Sequence, residues 1–273
     1  MCQKFPQRGF TLIEMVMVIV IMGVIGSIVS VFMKAPIDAY FDSARRASLT
    51  DVADTAVRRM ARDIRKALPN SILNPNNQCL EFIPTRTGGR YRAEVDALGN
   101  GDILNFAAAD ASFNMLGSNN ALPADQRIVQ NDVIAVYNLG IPGADAYSQN
   151  NTATVTAAPS ESGAPVETSI AITSKLFPLA SGSNRFHVIP SGENVVAFVC
   201  TGGNLRRTVR AFAGAACPIT GAILAKNVGS CNFVYNGSDL QRNALVQLHI
   251  AFTDTTSNES VSLYHEVHVD NTP

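Results

Sequence analysis

A nearly unbroken apolar segment close to the start of the chain, Phe10–Met33, constrains the fold more than any other feature. It is longer than the roughly 20 apolar residues that an α-helix needs to cross a bilayer. Glu14 interrupts it, and a carboxylate inside such a span costs at least about 2.5 kcal/mol, so this residue requires a role and a partner. Lys4 and Arg8 precede the segment, which predicts a cytoplasmic N terminus and a chain that continues across the membrane.

The residues before the apolar segment predict a leader that is removed. A secretory signal has a shorter apolar core, which ends in a cleavage site of small residues. Here we expect the cut after Gly9, ahead of the apolar segment, so that this segment is retained in the mature chain. The alternative is a plain membrane anchor in which Glu14 is incidental.

The sequence Gly9–Glu14, with a short basic leader before it and the apolar run after it, resembles the N terminus of type IV prepilins and of type II secretion pseudopilins. The resemblance implies that a membrane prepilin peptidase cleaves after Gly9 and that the new amine of Phe10 is methylated. It also implies that Glu14 pairs with the N-terminal amine of a neighbouring subunit. This agrees with the rule that buried opposite charges are tolerated only when they meet.

The rest of the chain divides into a helix and a head. Pro36 predicts a kink or a brief end in the helix. Apolar residues recur after it at helical spacing, with Asp and Arg between them, until Pro69. We interpret the arginines as a solvated face, with a docking surface for a partner or for anionic lipid headgroups as the alternative. The predicted segments are a leader (1–9), a transmembrane assembly helix (10–34), an amphipathic helix (35–69) and a periplasmic β-rich head (70–273).

Alternating apolar residues predict that the head is made of strands. Thr201–Asn204 is predicted to form a hairpin turn, Gly88–Gly89 another turn, and 140–165 a long surface loop or a weakly ordered insertion. The expected fold class is α+β, a long N-terminal helix packed on a mainly antiparallel, pilin-like head. Strands are predicted at 79–84, 103–106, 133–137, 169–173, 185–189, 195–200, 205–212, 231–235, 245–252 and 261–269.

Four cysteines remain once the leader, which contains Cys2, is removed: Cys79, Cys200, Cys217 and Cys231. An even number on the outer side of the membrane predicts two disulfides. Four cysteines allow three pairings. We favour a local pair, either Cys200 with Cys217 or Cys217 with Cys231.

The composition and the motifs argue against nucleic-acid binding and catalysis. Loss of Lys4 and Arg8 with the leader takes the net charge from −1 to −3, so no nucleic-acid partner is expected. His265 and His268 lie an odd number of positions apart on a predicted strand and face opposite ways, which disfavours a shared metal. The sequence has no Gly-x-Ser-x-Gly elbow, P-loop or dinucleotide fingerprint. We therefore expect a non-enzymatic protein without a cofactor or metal.

Further blocks resemble minor pilins of the MSHA (mannose-sensitive haemagglutinin) type. This implies a minor pilin that initiates assembly or lies near the tip, with a possible role in surface attachment. Its partners would be prepilin peptidase, major and minor pilins, the inner-membrane assembly platform and membrane lipid. The alternatives are a J-type minor pseudopilin of type II secretion and a membrane-anchored periplasmic enzyme or binding protein. The blocks are 42–47, 51–71, 88–92, 136–140, 227–231 and 261–271.

Overall fold

The computed structural model describes residues 9–237, 243–255 and 259–273. The leader, apart from Gly9, lies outside the described residues. The chain forms two compact units, residues 1–50 and 51–273. Its α-helix, α1, covers Leu12–Ile64.

The first unit contains the apolar part of α1. This part is long and apolar enough to cross a membrane, and none of its most apolar stretch is buried. Pro36 lies inside the uninterrupted helix, so the predicted brief end at this position is wrong. A proline removes one N–H donor, while the hydrogen bonds of the turns on either side remain available to hold the helix.

The second unit begins with the last turns of α1, which pack against the sheets. Apolar residues at helical spacing, such as Ala53, Val57 and Met60, are buried there. The helix ends at Ile64, about one turn earlier than predicted. The cause is a tertiary contact. The Leu68 N–H donates to the Ile83 carbonyl at 2.7 Å, so the backbone here pairs with the segment around Ile83 and does not continue the helix.

The described residues after α1 form fifteen strands in four sheets, and the strand pairs among them are antiparallel. The strands are β1 (Leu73–Asn76), β2 (Cys79–Phe82), β3 (Thr87–Arg90), β4 (Asp110–Leu116), β5 (Val133–Val136), β6 (Thr152–Thr154), β7 (Ser160–Ser162), β8 (Glu167–Lys175), β9 (Arg185–Ile189), β10 (Val195–Thr201), β11 (Asn204–Arg210), β12 (Ala222–Lys226), β13 (Val228–Asn236), β14 (Asn243–Thr253) and β15 (Ser260–Asp270). The sheet orders are β1-β2-β10-β11-β12, β13-β14-β15, β3-β9-β5-β6 and β4-β8-β7. This arrangement confirms the predicted α+β class.

Most predicted strands are present, and three predictions about the head are wrong. The hairpin at Thr201–Asn204 joins β10 to β11 as expected. Gly88–Gly89 is not a turn but part of β3, where a Cβ on Gly89 would lie 2.8 Å from both Met115 and Phe186. Glycine therefore lets the strand approach large core residues closely. Residues 103–106 form no strand, and 140–165 contributes β6, β7 and the buried Ala146 and Val155 instead of a loose insertion.

The two predicted disulfides are present, but the favoured local pairs are wrong. Cys79 bonds to Cys217, and Cys200 bonds to Cys231. Cys79 lies opposite Val199 on β10, so its side chain shares a face with Val199, whereas the next residue, Cys200, points to the other face. Cys217 reaches the Cys79 face from the segment after β11. The sheet itself therefore separates Cys217 from Cys200 and Cys231.

We expect thiol labelling under denaturing, non-reducing conditions to find none of these four cysteines free. Substituting Cys79 and Cys217 together by alanine should destabilise the head more than substituting Cys200 and Cys231. The first bridge closes 138 residues and the second 31. Loop-closure entropy then predicts losses of about 5 and about 4 kcal/mol. Two or more reactive thiols among these four cysteines would refute the presence of two disulfides, and a smaller loss for the Cys79 and Cys217 pair would contradict the assigned pairing.

Candidate functional site

The start of α1 brings Thr11 and Glu14 into reciprocal contact. The Glu14 N–H faces the Thr11 hydroxyl at 3.4 Å, and the Thr11 N–H faces a carboxylate oxygen of Glu14 at the same distance. This arrangement is a capping box, in which each side chain serves an N–H that the first turn leaves unpaired. The Thr-x-x-Glu spacing is a sequence signal for this capping box. The helix N terminus also favours a negative charge at this position.

The predicted cleavage site lies directly before this turn. Phe10 is 81% exposed, and nothing lies within 4 Å of where a Cβ on Gly9 would be. The side chains that follow are exposed along the whole apolar run. A helix that is apolar on all sides has to be covered by lipid or by other helices.

Residues 4–30 match the family model described as the prokaryotic N-terminal methylation motif. The N terminus is type IV pilin-like. The motif supports a pilin or pseudopilin-like protein, and with the apolar helix it fits a membrane-anchored pilin. Searches of curated proteins and of solved structures give no match for the chain. Cleavage after Gly9, methylation of Phe10 and the pairing role of Glu14 remain predictions.

The head holds a buried charged pair beside one disulfide. Arg210 donates two hydrogen bonds to the Glu81 carboxylate at 2.9 and 3.1 Å, and the side chain of Glu81 is fully buried. The Cys217 N–H donates to the same carboxylate at 2.6 Å, and the guanidinium carbon lies 5.6 Å from the centroid of the Tyr147 ring. Bonding to Glu81 raises the pKa of Arg210, and burial raises the pKa of Tyr147 well above its usual range.

A second charged group connects the end of α1 to the five-stranded sheet. Arg207 on β11 donates from Nε to Asp63 at 2.9 Å and from its two terminal nitrogens to Glu193 at 2.8 and 2.7 Å. These bonds raise the pKa of Arg207 and lower the pKa of Glu193. Among the described residues, the ion pair of Asp63 is with Arg207 and not with the neighbouring arginines of α1.

The histidines do not come together as a metal site in the part of the head that is described. His265 is half-buried and His268 is exposed, which confirms that they face opposite sides of β15. His187 on β9 is largely buried, its Nε2 has no recorded partner, and desolvation lowers its pKa to about 4. Cys79, Glu81 and Cys217 converge, but the two sulfurs are bonded to each other and Glu81 is bound to Arg210.

Proposed function

We propose that this protein is a minor subunit of a type IV pilus, which starts assembly or lies near the tip. The methylation motif at residues 4–30 supports the pilin-like part of this proposal, and the sequence blocks that resemble minor pilins support the minor role. In it, prepilin peptidase cuts after Gly9, Phe10 becomes the methylated N terminus, and the helix leaves the membrane to join a bundle of similar helices. The division into leader, assembly helix, amphipathic helix and periplasmic head belongs to the same proposal.

The helix and the head support a structural role. An exposed apolar helix is suited to burial first in lipid and then among other helices, while a head with two disulfides is suited to an oxidising compartment. Glu14 stands close to the future N terminus, where a carboxylate is able to meet the amine of a neighbour. In this proposal the protein is not an enzyme and works through the inner-membrane assembly platform and other pilins.

The finer proposal is a pilus of the MSHA type, with the minor pilin MshO as the protein that the sequence blocks resemble most. A role in surface attachment is part of it. The J-type minor pseudopilin of type II secretion is the second candidate, because the methylation motif is also the motif of pseudopilins. The membrane-anchored enzyme or binding protein is the third candidate.

Co-purification after light crosslinking of the bacterial membrane tests these candidates. We expect pilins and the assembly platform of a pilus to be recovered with the full-length protein. Recovery of pseudopilins and secretion components instead would support the second candidate. Recovery of neither set would contradict a filament subunit of either kind.

A further inference from the structure

A groove of about 600 Å³ in the head lies between the last turns of α1 and strand β15. We call it the basic groove and define it by Arg58 and Arg62 on α1, Arg65 directly after its end, and His265 on the strand. Arg58 is bound to Asp54 at 2.6 Å. Within the described ranges, no ion pair is recorded for Arg62 or Arg65. The groove therefore contains two arginines able to take a carboxylate from outside.

Positive charge is concentrated at this place in a chain whose net charge is −1. Three of the five basic residues in 58–66, namely Arg58, Arg62 and Arg65, line the groove, and the one acid that lines it, Asp54, is bound to Arg58. A cluster of one sign in a cleft attracts ligands of the opposite sign and rejects ligands of its own. The ligand chemistry that this groove favours is therefore acidic.

The strand that borders the groove has a free edge. β15 pairs with β14, and no further strand pairs with it among the residues that the structure describes. At the opposite edge of this sheet, on β13, the Phe233 N–H donates to the Asn77 carbonyl at 2.8 Å. Alternate N–H and C=O groups of an edge strand point away from its partner and form a template for one more strand.

Burial along β15 also indicates a missing neighbour. Val267 and Val269, on the inward face, are buried, but Val261, Leu263 and His265 on the same face are only half-buried. Their cross-strand neighbours on β14, such as Leu248 and Ile250, are fully buried. The inward-facing side chains in the first half of β15 are therefore less buried by their neighbours than those in its second half.

The spacing of the arginines suits an extended ligand. Arg58, Arg62 and Arg65 follow one another at intervals of four and three residues, which correspond to roughly 6.0 and 4.5 Å along a helix axis. Side chains on one face of a strand repeat every two residues, or roughly 6.6 Å. Carboxylates at alternate positions of a strand that runs along the helix axis therefore match successive arginines to within about 2 Å.

We propose that the basic groove binds an extended acidic segment of a partner protein. The segment pairs with the free edge of β15 and presents carboxylates at alternate positions to Arg62 and Arg65. Main-chain hydrogen bonds then provide the affinity, and the planar guanidinium groups select for carboxylates. This surface lies on the head, so the proposal goes beyond the assembly role of the N-terminal helix.

The test uses the full chain in an uncharged detergent and a fluorescent peptide that alternates glutamate and valine. We expect binding that Arg62→Glu combined with Arg65→Glu weakens at least about tenfold, because the substitutions reverse the charge of the groove. The matched control is Arg59→Glu, which changes the same kind of charge on the same helix but outside the groove. Its effect should stay within about threefold.

Two further measurements test the strand geometry. The peptide should slow hydrogen exchange of β15 amides, and N-methylation of its alternate residues should abolish binding. Equal loss in the Arg59 variant, equal binding of a glutamine–valine peptide, or protection away from β15 would overturn the proposal. It would also be overturned if vesicles with anionic lipid bound through Arg62 and Arg65 while the peptide did not bind.

Discussion

Replacing Glu14 by valine is expected to lower incorporation into the initiating complex at least about tenfold, and with it the number of surface pili. The physical reason is that a methylated Phe10 amine buried beside an apolar side chain loses its counter-charge, and breaking a buried ion pair costs about 3–5 kcal/mol. Membrane insertion, cleavage and folding of the head should be unchanged, because valine makes the span more apolar. Pilus counts and co-purification of partner pilins measure the effect.

Glu14→Gln separates two roles of this side chain. Glutamine keeps an oxygen that is able to accept from the Thr11 N–H and so preserves the capping box, but it carries no charge. If Glu14 acts through the amine of a neighbour, the glutamine variant should assemble as poorly as the valine variant. Wild-type assembly of Glu14→Gln would mean that capping is its role, and wild-type assembly of both variants would mean that assembly does not depend on pairing between Glu14 and the amine of a neighbour.

Arg210→Met is expected to destabilise the head by about 3–5 kcal/mol, because it leaves the fully buried Glu81 carboxylate without its partner. For a domain of this size, that loss lowers the melting temperature by roughly 10 °C. Thermal unfolding of the full chain in detergent, followed by circular dichroism, measures it.

The double variant Glu81→Gln with Arg210→Met should recover most of the lost stability. The glutamine oxygen still accepts from the Cys217 N–H, and no charge is left buried. Arg58→Met is the matched control: it breaks an exposed pair with Asp54 and should cost under about 1 kcal/mol. A loss for Arg210→Met as small as that of Arg58→Met would contradict the assigned role of the buried pair.

The spacing of apolar residues along the sequence predicted the elements whose structure depends mainly on residues close in the chain. β14 and β15 alternate regularly between covered and exposed residues, and α1 follows from its apolar run. The sequence did not reveal β3, because Gly88 and Gly89 signal a turn unless the close approach of Phe186 is known. The end of α1 at Ile64 likewise depends on a hydrogen bond to Ile83, which no local pattern shows.

The candidate functional residues also include some that the sequence predicted and some that it did not. Gly9, Phe10 and Glu14 were predicted from a short contiguous motif, and the capping box with Thr11 is a signal within the same six residues. The disulfide pairing was not predictable, since it depends on which face of β2 and β10 each cysteine occupies. The basic groove became visible only when folding brought β15 beside the arginines of α1.

The most direct test of the account is mass spectrometry of the N terminus of the protein recovered from the assembled filament. The account predicts a chain that begins at Phe10 and carries a methyl group on its amine, with the apolar segment still present. A chain that retains Met1–Gly9 in the assembled protein, or one that is cut after Met33, would contradict it.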